Sequence, residues 1–241
     1  MPAMSDDELR QILSDRLDAV QDRIEAACGR ATRNPGLITI VAVTKTVSPR
    51  VAGLIAELGV LDLGESRAQE LWRKAESLMH LPIRWHMIGH LQRNKIERTL
   101  PLVHTIQSVD SLRLWSAIQL EAQRQDKHPQ LLLQMNASGE EQKHGFDYDE
   151  LLAMPEPEEF GAIVTGLMGM AAYADDAERA RPTFAALRQF RDRLRDHWCT
   201  IIGPQVEHLS MGMSGDFEVA IEEGATMVRI GTTLFEGLEA E

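Results

Sequence analysis

A lysine closes an apolar run, VAVTK (41–45). Far along the chain, the stretch HLSMGMSGDFEVAIEEGATMVRIGTTLFEG (208–237) holds two short runs with almost no long polar side chains, LSMGMS and VRIGTT, and a single arginine, Arg229. A primary amine at the end of an apolar strand is partly desolvated, which favours its neutral, nucleophilic form and suits it to condensation with an aldehyde. The two small-residue runs, LSMGMS and VRIGTT, suit a different task. Backbone amides without bulky neighbours, set at a helix N-terminus, present partial positive charge to an anion. This reading makes Ser214 the N-cap of a helix over 215–223 and puts Gly231 and Thr232 opposite it. Other readings stay open: Gly212, Gly215 and Gly231 could serve turns, Asp216 and Glu218 could complement a helix dipole, and Lys45 could be a solvated lysine at a strand terminus. Arg229, inside the apolar MVRIG run, fits a surface ion pair poorly.

The elements that must position these residues are legible from periodicity. Ser5 to Glu8 reads as a capping box, and Leu9, Ile12, Leu13, Leu17, Val20, Ile24 and Ala27 recur at helical spacing until Gly29. Eight apolar, β-branched runs follow, over 37–45, 60–65, 83–89, 103–109, 130–136, 162–170, 205–212 and 226–232. Helical patterns lie between most of them: one begins at Ser48-Pro49 and stops at Gly59, others run from Ser111 to Gln125 and from Asp175 to His197. The runs lack clean alternation, as strands covered on both faces should. Eight strands interleaved with helices in 241 residues predict an α/β fold, a (β/α)8 TIM barrel with an extra N-terminal helix, as one domain over 1–241. An open doubly wound sheet is the alternative. In a barrel the chemistry gathers where strands end, at Lys45, Glu65-Ser66, Gly89-His90, Ser108 to Ser111, Asn136, Met168 to Met170, Ser210 to Ser214 and Arg229 to Thr233, and the loops after strands seven and eight commonly bind phosphate.

Composition narrows the function classes. With 44% hydrophobic and 26% charged residues this is an ordinary globular composition. A net charge of −12 disfavours nucleic acid and anionic membranes as partners. The N-terminus, MPAMSDDELRQ, is acidic where a secretory signal would be basic and then apolar, and no apolar run approaches membrane-spanning length, so a cytoplasmic location is expected. Cys28 and Cys199 form no CxxC and are expected to be buried small hydrophobes.

An amine and an anion cradle on one barrel face suit a phosphorylated aldehyde, and pyridoxal 5'-phosphate (PLP) is such a cofactor. The segments VAVTK (41–45), GESRAQE (64–70), WHMIGHLQRNK (85–95), SVDS (108–111), GLM (166–168) and HLSMGMSGDFEVAIEEGATMVRIGT (208–232) resemble, in register, the YggS/PROSC family of PLP-binding proteins, also called pyridoxal phosphate homeostasis proteins. The resemblance implies a fold-type III PLP barrel, similar to the N-terminal domain of alanine racemase, with Lys45 in Schiff-base linkage to the cofactor. It implies that Ser214, Gly231 and Thr232 hold the phosphate and that Arg229 faces the pyridine nitrogen. Ser66, His86, Ser210, Met211 and Met213 join the expected cofactor pocket. An arginine there donates and accepts no proton, leaving the ring a weak carbanion sink.

Racemisation needs a second acid/base opposite the lysine. Alanine racemases take a tyrosine from a separate domain, and neither Tyr148 nor Tyr173 sits in a comparable segment. The expected function is therefore PLP carriage and homeostasis, with PLP-dependent apo-enzymes as recipients, no catalytic residue of its own, and a monomeric state; a single-domain amino-acid racemase is the alternative. His86 and His90 straddle a strand end and a glycine, a poor geometry for zinc, and packing or pocket lining suits them better. Met168, Met170, Met211 and Met213 suit gap filling as well as ring contact. Acidic residues at Glu156 to Glu159 and Glu222-Glu223 are expected on solvated faces. Ser66 stands where the family usually has Asn, Arg93 and Gln142 replace small residues, Gly169 and Ala172 loosen the sixth loop, and Lys143 is a candidate secondary PLP site.

Overall fold

In a computed structural model, which describes residues 4–136, 145–154, 156, 161–172, 174–200 and 202–238, the Ser5 capping box forms. The Ser5 hydroxyl accepts from the Glu8 N–H, and the Glu8 carboxylate accepts from the Ser5 N–H. Helix α1 (Asp6–Arg30) follows, and its stripe from Leu9 to Cys28 is buried. The expectations on Gln142, Lys143, Glu158, Glu159 and Tyr173 lie outside the described residues.

Strands and helices then alternate: β1 (Thr39–Val43), α2 (Pro49–Glu57), β2 (Asp62–Glu65), α3 (Ala68–Ser77), β3 (Arg84–Met87), α4 (Ile96–Thr99), β4 (Val103–Val109), α5 (Leu112–Gln125), β5 (Gln130–Gln134), α6 (Tyr148–Ala153), β6 (Ile163–Met168), α7 (Arg181–His197), β7 (His208–Met213), α8 (Phe217–Glu222), β8 (Met227–Ile230) and α9 (Thr232–Phe235). Every strand pairs in parallel with the next, and β8 returns to β1 through Thr39↔Met227 to Ala42↔Ile230. The sheet is a closed barrel, which removes the open doubly wound alternative.

Local chemistry sets the boundaries. The Ser48 hydroxyl caps α2 by accepting from the Val51 N–H, with Pro49 in its first turn; beyond the helix end Gly59 takes φ +96°. The helix expected over 175–197 is divided: a 3-10 turn covers Ala177–Ala180, and α7 starts at Arg181 with Pro182 in its first turn, where a missing donor costs nothing.

Two apolar regions result. The larger lies between the strands and the helical ring, with α1 packed against α2, α8 and α9. The smaller, Val41, Leu132, Met168 and Met227, fills the barrel interior. Side-chain ties fasten α1 to the end of the barrel: Arg16 donates to the Leu234 carbonyl, Arg23 pairs with Glu218 and lies over the Phe217 ring, and Arg33 donates to the carbonyls of Ile221 and Ala225. Two surface expectations are corrected. Glu222 and Glu223 are half-buried and pair with Arg30, Arg181 and Arg188, and the Glu156 carboxylate accepts from the Thr200 and Ile202 N–H groups. Cys28 is buried, but Cys199 is exposed, because it falls in the turn after α7. No helix among the described residues is long and apolar enough to cross a membrane.

Candidate functional site

A cavity of about 800 Å³ opens at the C-terminal ends of the strands, within the range of small-ligand sites. Its lining brings together Lys45, Ser66, Met213, Ser214, Arg229, Gly231 and Thr232, seven residues singled out from the sequence. Lys45 lies two residues beyond the end of β1 and is exposed on the cavity wall. The partial desolvation inferred from its apolar strand does not occur in the protein alone, because Val43 is the last strand residue and the chain leaves the sheet at Thr44.

Beneath Lys45 lies a network the sequence reading missed. Lys74, on α3 and 1% exposed, donates from Nζ to the Thr44 carbonyl (2.6 Å) and to Glu65 Oε1 (2.6 Å). The Thr44 hydroxyl donates to the same Glu65 oxygen at 2.6 Å. Glu65 is fully buried, and its second oxygen, Oε2, has no hydrogen-bond partner among the described residues. The end of β1 that presents Lys45 is thus clamped by a desolvated ion pair.

The opposite wall is built from two turns. Ser214 is not the N-cap of the eighth helix, which starts only at Phe217 with Asp216 in the cap position. The Asp216 side chain makes no bond to the helix amides; its carboxylate accepts from the Met213 N–H (2.6 Å) while its own N–H donates to the Met213 carbonyl (3.1 Å), closing a tight turn. The Ser214 hydroxyl instead accepts from the Thr233 N–H (3.2 Å), tying the turn after β7 to the first turn of α9. The N–H groups of Ser214, Gly215 and Thr232 have no protein acceptor among the described residues. A β-carbon built on Gly215 would meet no atom within 4 Å, so its smallness leaves the rim open. Gly212 is different: at φ +90°, an added β-carbon would lie 2.5 Å from the Ala220 β-carbon.

Arg229 is 5% exposed and held on three sides. Nη1 donates to the Ser210 carbonyl (2.7 Å) and hydroxyl (2.8 Å), and Nη2 donates to the Gly169 carbonyl (3.0 Å). Burial pushes the guanidinium down to about 10, with nearby Asp216 opposing the change, so it remains a cation at neutral pH. Burial also pushes the Asp216 carboxyl up, while the Met213 amide and Arg229 pull it down.

Three expected pocket residues are not brought to the cavity. Met211 is fully buried in the outer core, Ser210 is buried behind Arg229, and His86 points into the barrel between Asp62 and Gln107. Inward strand parity explains His86 and Ser210; outward parity explains Met211. Of the remaining methionines, Met168 fills the barrel interior while Met170 and Met213 line the cavity, together with Asp216 and the small residues Ala171, Ala172 and Ala174. His90 pairs with Asp110, and among the described residues no group of three or more His, Cys, Asp or Glu converges as a metal site.

The family model for the alanine racemase N-terminal domain matches residues 16–239. A relative from Aquifex aeolicus, named pyridoxal phosphate homeostasis protein, is 40% identical over 223 residues, covering 92% of this chain and 96% of its own. The chain belongs to the pyridoxal phosphate homeostasis protein family. Solved structures extend the likeness within and around the family. A protein of unknown function from Bifidobacterium adolescentis superposes with a TM-score of 0.89 at 36% identity, over 97% of this chain and 98% of that one. PipY of Synechococcus elongatus, solved with PLP bound, superposes with a TM-score of 0.81 at 29% identity, over 92% and 99%. The fold-type III barrel expected of this family is therefore the fold observed.

Proposed function

We propose that this protein binds PLP covalently through Lys45 and acts in its carriage and homeostasis, delivering it to apo-enzymes rather than turning over substrates itself. One observation carries the reading: a single cavity is lined by a primary amine and by the joined turns of Ser214 and Thr232, with Arg229 on the same wall system. The names of the curated relatives and the PLP bound to PipY support it.

The donor set fits the group. Three amides and the Ser214 hydroxyl suit a phosphate, which offers only acceptors at neutral pH, and the exposed Lys45 amine suits an aldehyde carbon. When bound, PLP supplies that electrophilic carbon and an electron-withdrawing ring. Arg229, which keeps its own proton, would face the ring nitrogen as a donor only, and a nitrogen left unprotonated would make the ring a weaker electron sink. The described lining residues that titrate are Lys45, Asp176, Asp216, Arg229 and Glu236, with no Tyr, His or Cys to serve as a second acid/base. Asp216 is already engaged by the Met213 amide.

The test is the visible spectrum of purified protein with PLP, before and after borohydride, beside Lys45→Ala. A yellow band that borohydride abolishes and Lys45→Ala lacks is expected; a reducible band that persists in the variant moves the attachment elsewhere. Incubation of the PLP-loaded protein with a single-enantiomer amino acid in deuterated water separates carriage from racemisation, since rapid α-deuteration would mean turnover.

A further inference from the structure

A chain of hydrogen bonds crosses the barrel interior and ends on Arg229, and every link has a defined direction. Arg229 Nη1 donates to the Ser210 hydroxyl oxygen at 2.8 Å, so the single hydroxyl proton is left to point onward. It goes to Gln107 Oε1, 2.7 Å away. That contact fixes the Gln107 amide, whose nitrogen then faces His86 Nδ1 at 2.9 Å and the Met227 sulfur at 3.9 Å. An amide nitrogen only donates, so Nδ1 is the bare nitrogen and the imidazole proton sits on Nε2, which donates to Asp62 Oδ1 at 2.9 Å. The Asp62 carboxylate is held in turn by the Arg84 guanidinium.

These side chains are expensive where they are. His86, Gln107 and Ser210 are essentially inaccessible, in a barrel whose other interior residues include Val41, Leu132, Met168 and Met227. Burying polar groups in such surroundings is unfavourable unless all are satisfied, and an apolar filling of the same volume would be simpler. A fully satisfied, one-directional network gives what apolar filling cannot: it fixes the orientation of the polar group at its end. We infer that Asp62, His86, Gln107 and Ser210 are positioning residues that hold the Arg229 guanidinium in the orientation it presents to the cavity. The identity of the ring that Arg229 meets rests on the PLP reading above; the orientation of Arg229 does not.

Two variants interrupt the chain without touching the cavity lining: Gln107→Met, which keeps the volume, and Ser210→Ala. Ser210→Thr keeps the hydroxyl and serves as the conservative rescue. Leu132→Ala loosens the same barrel interior outside the chain and controls for simple destabilisation. In protein without ligand, ¹⁵N NMR of His86 should show the Nε2–H form, and exchange of the Arg229 side-chain N–H protons with solvent should quicken about tenfold in Gln107→Met and Ser210→Ala, but not in Ser210→Thr or Leu132→Ala. With PLP added, the first two variants should bind about fivefold more weakly and shift the visible band, while Leu132→Ala lowers only the melting temperature. Unchanged Arg229 exchange in Gln107→Met, or the same change in Leu132→Ala, would overturn the inference. If wild-type protein binds no PLP but the exchange pattern holds, the PLP reading fails and the positioning chain stands.

Discussion

Replacing Lys74 by methionine tests the clamp beneath Lys45. Methionine keeps the length and most of the volume of the lysine stem but removes the ammonium. The wild-type ammonium sits 2.6 Å from both Glu65 Oε1 and the Thr44 carbonyl, in a site where Lys74 and Glu65 are each about 1% exposed at the side chain. Among the described residues Glu65 would retain only the Thr44 hydroxyl as a donor, because its Oε2 has no partner there. Breaking a buried pair from one side typically costs about 3–5 kcal/mol, since the remaining charge stays uncompensated. Set against a total stability of about 5–15 kcal/mol, a loss of about 4 would move a urea midpoint well outside experimental error. The double variant Glu65→Gln/Lys74→Met removes both charges and should recover most of the loss, leaving about 1–2 kcal/mol, so the two substitutions couple by several kcal/mol. Equilibrium urea unfolding of the wild type, both single variants and the double variant measures the cycle. A Lys74→Met loss below about 1 kcal/mol, or additive single effects, would refute the view that the pair is desolvated and mutually dependent.

Three further outcomes are expected. Gly212→Ala forces a side chain onto φ +90° and against Ala220 and Phe217, and should cost about 1–3 kcal/mol in thermal or urea unfolding while weakening PLP binding. Ser214→Ala removes one donor to the expected phosphate and the acceptor of the Thr233 N–H, and should raise the PLP dissociation constant about tenfold by fluorescence titration, with little change in melting temperature. Burial raises the Asp62 carboxyl, but hydrogen bonds from His86 and Arg84 outweigh it and bring it from 3.8 to about 2. A depressed carboxyl stabilises the fold above its unfolded value and loses that contribution as pH falls from about 4 towards 2; discounted for partial solvent access, it amounts to about 1.5 kcal/mol. The stability difference between wild type and Asp62→Asn should therefore shrink over that window, and a difference that stays constant would count against the assignment.

The barrel was legible because its signals are local. Capping at Ser5, Ser48 and Ser111, and apolar runs at regular intervals, need only neighbouring residues to be read. Lys45 and the Ser214, Gly231 and Thr232 rim could also be read, because residue type and strand order place them on one face. What escaped depends on register between strands or on competition within a turn. His86 faces Asp62 and Gln107 from neighbouring strands, and nothing in WHMIG reveals which way its parity points. Lys74 reads as a solvent-facing lysine on α3 until that helix is seen to lie over the end of β1. Ser214 precedes the helix because Asp216 closes a turn back onto Met213, and its hydroxyl is taken up by the distant Thr233 N–H. Gln107 alone left a trace, as a polar residue in the apolar run VHTIQSV.

Closure of the ring between Thr39 and Met227 has a bearing on biogenesis. Lys45 is synthesised well before Ser214, Arg229 and Thr232, and α1 is fastened to the segment that carries them through Arg16 and Leu234. No growing chain on the ribosome can span a ligand between its amine and its anion rim until the final strand has docked beside the first. Such a long-range pairing is also slow to form. A ligand that bridged the two sides of the cavity would therefore favour only chains that have already completed the cylinder.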